Sequence, residues 1–548
     1  MLWAPLTEED KKRYSVLNKE NLEFLMNRYN KVNRWVIADM IRRSAYHNPD
    51  KPAVIFQGKT LTYSQLEQES NRVANALTAL GVKKYDRVAI LAHNTIHHVI
   101  TWLGCAKIGA IYLAINYLLR GKDISYCIDH SESVAFIIED ALFDLVKDVQ
   151  NDMPTVKTWI WSNQGAGKPP ANDRFVDFDA WYGKYPADEP DAILHIEDPC
   201  QMTYTSGTEA LPKGVIISNQ ALMAQYMGAI VDGQYDEDDI SINALPIYHC
   251  AQRDVFLNPI FWVGGTNVLI QPDIGLILKS IAEFKATLFF APPTVWIGML
   301  RHPEFAKQDL SSLKKCYYGA SIMPMEILKE MMERLPGVRI YNYYGQTELA
   351  PYHTILKAKD ALAKIGSAGL GGINMETRLE DDEGKVVAVP DVPGEICGKG
   401  PHALIMYFKE PAKTDDAMKG GWFHSGDIGI MDSDRYITVA DRKKDMIKTG
   451  GENVATREVE DAVYLDKRVQ EVAVIGLPDP KWVEIVTAVI VLKAGETMTA
   501  QEVMDHCRKN LAPFKCPKKV VFMDALPKTP TGKILKREMR ASLKNAPG

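Results

Sequence analysis

The feature of this chain that most restricts its fold is an alternation of helix-like and strand-like runs, present before residue 200 and again after it. Thr62 and Gln65 have the spacing of a capping box, and the apolar positions Leu66, Val73, Leu77 and Leu80 recur at helical spacing until Gly81. Residues 87–92 read as a strand, 99–108 as a helix and 133–138 as a strand. After residue 200 the same texture returns, with strands at 214–217, 268–270 and 287–290 and helices at 219–231 and 273–284. Such alternation predicts an α/β fold with largely parallel sheets. Segment 162–192, polar and rich in Gly, Pro and Asp, reads as a surface connection. Beyond residue 366, short runs broken by glycine predict a β-rich subdomain to about 440. A compact Lys-rich α/β module closes the chain from about 446.

The chain has 548 residues, room for about three or four domain-sized units. With 46% hydrophobic and 24% charged residues it is ordinary globular material. A net charge of −6 makes no electrostatic case for nucleic acid or an anionic membrane. The 8 cysteines contain no C-x-x-C pair and read as free thiols of a reducing compartment. The apolar stretch 108–119 falls well short of the roughly twenty residues that span a bilayer. The early residues Glu8, Glu9, Asp10, Lys11, Lys12 and Arg13 form no apolar signal core. Cytoplasmic residence and no integral membrane segment are therefore expected.

Residues 203–214 carry the chemistry most openly. Gly207 lets the backbone approach an anion, Thr205, Ser206 and Thr208 supply hydroxyl donors, and Lys213 supplies a point charge. Apolar residues on both sides place this loop between two strands. It is not the nucleotide P-loop, which requires G-x-x-x-x-G-K-[ST] opening a helix. Further on, Glu348 stands beside a glycine turn in Tyr344-Gly345-Gln346-Thr347-Glu348, an oxygen ligand suited to Mg²⁺. Asp427, after Gly426, is an acceptor suited to both hydroxyls of a ribose. The charged run 441–445 precedes Lys448-Thr449-Gly450-Gly451, and Lys533 ends a proline-stiffened turn at 527–533.

In this order the motifs resemble the adenylate-forming superfamily of acyl-CoA synthetases, luciferases and peptide-synthetase adenylation domains, over nearly the whole chain. The resemblance implies a large N-terminal domain, residues 1–443, built of two α/β subdomains and the β-rich subdomain (about 366–440). A small mobile α+β C-terminal domain, residues 444–548, then turns about a hinge at Lys444. It implies that Thr205, Ser206, Gly207, Thr208 and Lys213 hold the β- and γ-phosphates of ATP. Gly319, Ala320 and Ser321, with Asn342, Tyr343, Tyr344 and Gly345, match the adenine pocket. Thr347 matches the α-phosphate contact, Thr208 and Glu348 the Mg²⁺ ligands, and Asp427 with Arg442 the ribose pair. Lys533, Thr205, Glu348 and His249 are the residues it implicates in catalysis. Lys448, Gly450 and Gly451 match the pantetheine tunnel of coenzyme A, and Tyr248, His249 and Arg253 the acyl pocket.

The implied activity is AMP-forming acyl-CoA synthesis. A medium- or long-chain fatty acid is the first substrate expectation, and an aromatic or alicyclic carboxylate the alternative. A stand-alone acyl-adenylating enzyme is a further reading, as are a peptide-synthetase domain and a luciferase-like oxygenase. The run at Tyr248-His249 lacks the aspartate that reads an amino group. Lys533, Glu348 and Asp427, which a silent binding protein would have lost, are all present. Arg253 has two readings, a surface or salt-bridged residue, or a group facing the substrate channel that favours an acid with a polar or second anionic group. The loop departs from the family at Glu209-Ala210, where a hydroxyl residue and glycine are usual. A carboxylate beside a triphosphate is unfavourable unless it faces solvent or helps hold the metal. A homodimer is the default oligomer.

Overall fold

A computed structural model describes residues 7–544 except 17, 170–173, 206–211, 320–322, 443–444, 450–451 and 529–533. The capping box at Thr62 forms as read. The Thr62 N–H donates to the Gln65 side chain at 2.9 Å, Gln65 N–H donates back to Thr62 Oγ1, and helix Tyr63–Ala79 follows. Gly81, at φ +84°, ends it in the left-handed region that glycine adopts most cheaply.

The chain divides into two compact units, Met1–Pro52 with Leu61–Met223, and Ala53–Thr60 with Ala224–Gly548. In the first unit, strands run in the order Lys213–Ser218, Pro199–Thr205, Ile111–Ala114, Arg87–Leu91, Ser133–Glu139, Thr158–Ser162 and Phe175–Asp177. All neighbours are parallel except the first pair. Helix Ile96–Ile108 joins two of these strands and is buried on every side, as expected of a helix hydrophobic all round. Its one buried lysine, Lys107, is matched by Glu67 at 2.8 Å. Segment 162–192 is more than a surface connection. It contributes strand Phe175–Asp177 and helix Phe178–Tyr182, which buries Phe178, Trp181 and Tyr182. Its polar composition hides this short aromatic anchor.

The second unit holds a mainly parallel sheet, with Arg339–Gly345, Lys315–Gly319, Leu288–Phe290, Ile240–Asn243 and Thr266–Leu269 as consecutive neighbours. Strand Tyr352–Leu356 turns the edge antiparallel. The expected β-rich layer is a four-stranded antiparallel sheet of Glu376–Glu380, Pro393–Lys399, Phe423–Met431 and Ile437–Arg442. The closing module is built on the hairpin of Val469–Asp479 and Val483–Leu492. Val472 and Val474 enter one apolar cluster while Ala473 and Ile475 enter another, so both faces of the hairpin are covered. Arg457, on helix Thr456–Tyr464, ties this module to the β-rich layer. Its guanidinium donates to Val439 O at 2.6 Å and Gly366 O at 3.1 Å, and pairs with Asp461 of its own helix at 3.4 Å.

Two histidines are buried where the sheets of this unit meet. His353 Nε2 lies 3.0 Å from Thr377 Oγ1, and His402 Nδ1 lies 2.9 Å from the Tyr352 carbonyl. Burial, with the neighbouring His402, pushes His353 down to about 3, and burial lowers His402 as well. The unfolded chain therefore takes up these protons first as pH falls. The stability they support is complete above the ordinary imidazole range and is lost between about 6.5 and 3. Between pH 7.5 and 5, His353 alone is expected to account for a loss of about 2 kcal/mol. Urea midpoints of the protein and of His353→Gln at the two pH values check this, the variant showing the shallower dependence.

Candidate active site

Strands Pro199–Thr205 and Lys213–Ser218, on either side of the phosphate-type loop, pair antiparallel with Thr205 opposite Lys213. That matches the strand-to-strand reading and explains why the helix-opening P-loop pattern fails. Ser206, Gly207 and Thr208 lie outside the described residues. The stem is held from helix Gly121–His130: His130 Nδ1 is 2.7 Å from the Tyr204 hydroxyl, and Tyr126 O–H donates to the Pro212 carbonyl at 3.4 Å. Burial raises the Tyr204 phenol well above its ordinary range, so its hydroxyl keeps its proton.

In the second unit, strand Arg339–Gly345 sorts its residues by the two-residue period of a strand. Tyr343 points into an aromatic core, its ring edge-on to Tyr352 with centroids 5.1 Å apart and its hydroxyl donating to the Ala229 carbonyl at 3.2 Å. Its phenol is therefore spent on the core. Asn342 and Tyr344 lie on the other face. Asn342 donates to Ser367 O at 3.0 Å, and Tyr344 O–H donates to Asp427 Oδ2 at 2.7 Å. Gly319 and Gly345 are required by close approach. A Cβ on Gly319 would stand 2.4 Å from Tyr343 O, and one on Gly345 would stand 1.7 Å from Pro351 O. Ala320 and Ser321 are outside the described residues.

Asp427 is the centre of this arrangement. It sits directly opposite Arg442 across the antiparallel pair, and is 3% exposed. Its carboxylate accepts from Arg442 Nε at 2.8 Å, from Tyr344, and from Gln346 Nε2 at 2.9 Å. Gln346 also donates to Ser425 O at 2.8 Å. Gln346 was not singled out from the sequence, although it lies inside the quoted motif. Burial and Asp427 hold the Tyr344 phenol far above its usual range, so it remains a donor. Glu348 is buried, and its Oε1 accepts from Tyr407 O–H at 3.0 Å. Thr347 Oγ1 lies 3.3 Å from Cys250 Sγ.

The acyl-pocket residues fall on a π-helical stretch, Ala251–Leu257, and the turn before it; such turns are rare and recur at functional sites. His249 Nδ1 accepts the Ala251 N–H at 3.1 Å, which leaves Nε2 as the donor of the neutral ring. With Leu245, Pro246, Ala251, Gln252, Phe290 and Pro292, His249 lines a small, mainly apolar recess. Phe290, on one wall, is stacked on Phe256 with centroids 4.3 Å apart. Tyr248 is buried. Arg253 does not line the recess: its guanidinium forks onto Asp254 at 3.0 and 2.8 Å and donates to Ile247 O at 3.3 Å, and it is 1% exposed. The salt-bridged alternative describes it. Asp254 in turn accepts from Tyr226 O–H at 3.0 Å, which completes a buried polar knot.

Lys448 is exposed on strand Ile447–Thr449, its N–H bound to Glu484 at 2.8 Å. Lys444, Gly450, Gly451 and Lys533 lie outside the described residues. The stem of the Lys533 turn is described: Lys528 pairs with Ile534, and Leu535 N–H donates to Pro527 O at 2.8 Å. Among the described residues, the one Cys/His/carboxylate group with metal-ligand spacing is Glu380, Cys397 and His424. Arg378 Nε already donates to Glu380 at 2.8 Å, which neutralises its carboxylate. For a Mg²⁺ ion the fitting donor is the hard oxygen of Glu348.

Comparison with known proteins agrees with this layout. The family model described as AMP-binding enzyme matches residues 41–408, and that described as AMP-binding enzyme C-terminal domain matches 458–533. A feruloyl-CoA synthase of an Amycolatopsis species is 32% identical over 91% of this chain and 97% of its own. The long-chain-fatty-acid–CoA ligase of Bacillus subtilis is 31% identical over 92% and 94%. The crystal structure of an anthranilate CoA ligase with anthranoyl-AMP superposes with a TM-score of 0.87 at 28% identity, covering 93% of this chain and 98% of the other. No helix among the described residues is long and apolar enough to cross a membrane.

Proposed function

The chain belongs to the AMP-binding enzyme family and is an AMP-forming acyl-CoA ligase, and on that premise we propose that it activates a hydrophobic carboxylic acid with ATP and passes the acyl group to coenzyme A. The observation that carries the reading is the buried Asp427 carboxylate and the network that Arg442, Tyr344 and Gln346 form on it. A carboxylate locked in place by three donors is a preorganised acceptor, suited to the two hydroxyls of a ribose.

In the first step an oxygen of the substrate carboxylate attacks the α-phosphorus of ATP. The bond to the β-phosphate breaks and pyrophosphate leaves. Two anions must meet, so catalysis consists mainly of positioning and charge neutralisation. Thr205, Ser206, Thr208 and Lys213 bind the outer phosphates, Thr347 the α-phosphate, and Lys533 bridges carboxylate and α-phosphate. Glu348 and Thr208 would hold Mg²⁺, which supplies further positive charge to the phosphates. In the second step the thiol of coenzyme A attacks the acyl carbonyl, the carbon–oxygen bond to AMP breaks, and AMP departs. Lys448, Gly450 and Gly451 serve the pantetheine arm, after residues 444–548 turn about Lys444.

The apolar segment 245–262 supports a fatty acid. A second reading, an aromatic acid, is favoured by the small recess with Phe290 on its wall. Feruloyl-CoA and anthranilate–CoA ligases among the relatives support it too. A panel of fatty, benzoic and cinnamic acids, assayed for acid-dependent AMP release and thioester formation with Mg²⁺ and coenzyme A, separates the two. At least one acid is expected to give both products. Failure of every acid to release pyrophosphate would overturn the reading.

A further inference from the structure

Four side-chain and backbone groups beside the recess form a buried relay whose direction the backbone fixes. The Leu257 carbonyl can only accept, so the Asn267 atom 3.1 Å from it is the amide nitrogen. Asn267 Oδ1 then accepts from Asn243 Nδ2 at 2.9 Å, and Asn243 Oδ1 accepts from Gln252 Nε2 at 2.6 Å. Each amide is thereby oriented by the one before it. The last atom of the relay is Gln252 Oε1, which is buried and has no hydrogen-bond partner among the described residues. Gln252 itself is 1% exposed and lines the recess, where its neighbours Leu245, Pro246, Ala251, Phe290 and Pro292 are apolar.

A buried carbonyl oxygen without a partner is costly, and a site that carries one favours ligands that bring a donor to it. The relay prevents the amide from flipping to offer its NH₂, because Nε2 is committed to Asn243. We propose that Gln252 Oε1 is a specificity-determining acceptor, and that the preferred acid carries a hydroxyl, amino or ring N–H donor on an otherwise apolar acyl body. The inference rests on the reading of the recess as the place that receives the acyl group. A plain hydrocarbon acid would leave the oxygen unpaired; a donor-bearing ring acid would satisfy it while packing on Phe290.

The test uses matched acids in which a hydroxyl is replaced by a methyl of nearly equal size: hydroxy- and methyl-substituted benzoic and cinnamic acids at ring positions 2, 3 and 4. Dissociation constants are measured by calorimetry and kcat/KM by thioester formation, for the full-length protein and for Gln252→Met. In the unaltered protein, at least one hydroxy acid is expected to bind tenfold or more tightly than its methyl partner. In Gln252→Met the preference should shrink to within about twofold, the loss falling mainly on the hydroxy acid. Equal binding of every pair would mean that water alone serves the oxygen, and overturns the proposal. So would a preference that survives in Gln252→Met, or an equal loss of both acids there. The comparison within the unaltered protein stands even where the variant does not fold. A preference seen in calorimetry without any thioester would sink the ligase reading and leave the acceptor role intact.

Discussion

Lys533→Ala is expected to lower acid-dependent pyrophosphate release by about 10²–10³-fold, the loss typical of removing one preorganised donor from a developing charge. The same variant, supplied with the acyl-adenylate and coenzyme A, is expected to form thioester within a few-fold of the normal rate. The two half-reactions would separate because, in the proposed role, the lysine's charge matters only while carboxylate and α-phosphate are being brought together. Once the mixed anhydride exists, that repulsion is gone. The stem formed by Lys528 and Ile534, with Leu535 bonded to Pro527, gives the turn a defined base from which to present the ammonium group. Single-turnover assays of each half-reaction make the comparison. Equal loss of both would mean that Lys533 does not leave the site between steps, and the rotation reading would fail.

The second large effect is expected at Asp427. Asp427→Ala should raise the KM for ATP about 100-fold, the equivalent of losing two hydrogen bonds to a charged acceptor. It also strips Arg442 of its partner and leaves Tyr344 and Gln346 without their shared acceptor. A stability loss of about 1–3 kcal/mol should accompany it, discounted because the Arg442 side chain is 38% exposed and water screens the orphaned charge. Asp427→Asn, which keeps an oxygen near Tyr344, should recover most of the stability but little of the ATP affinity. An unchanged KM for ATP in both variants would remove Asp427 from nucleotide binding.

Much of the layout was legible because it rests on local rules. The Thr62 capping box, the strand–helix alternation and the glycine-punctuated β layer all follow from short-range periodicity and turn chemistry. That the phosphate loop joins two strands followed from its apolar flanks, whereas their antiparallel pairing did not. Other features needed the third dimension. Tyr343 and Tyr344 are adjacent in one motif, but only the strand's pleat shows that one phenol belongs to the core and the other to Asp427. The aromatic anchor at 175–182 was masked by the Gly, Pro and Asp around it. Arg253 could be a channel-facing, surface or salt-bridged residue until its burial and its fork onto Asp254 were seen. The Asn267–Asn243–Gln252 relay has no motif at all, since three distant amides must meet before any of them means anything.

The Arg457 clasp has a kinetic consequence. Any swing of residues 444–548 away from the β-rich layer must release the carbonyls of Val439 and Gly366. Arg457 is not stranded when that happens, because Asp461 rides on the same helix and travels with it. Releasing the clasp itself thus returns two neutral acceptors to water, with the ion pair carried along intact, while undocking also breaks the Thr456 N–H bond to Asp441 at 2.6 Å. A latch built this way suits the proposed turning of the module between the two half-reactions.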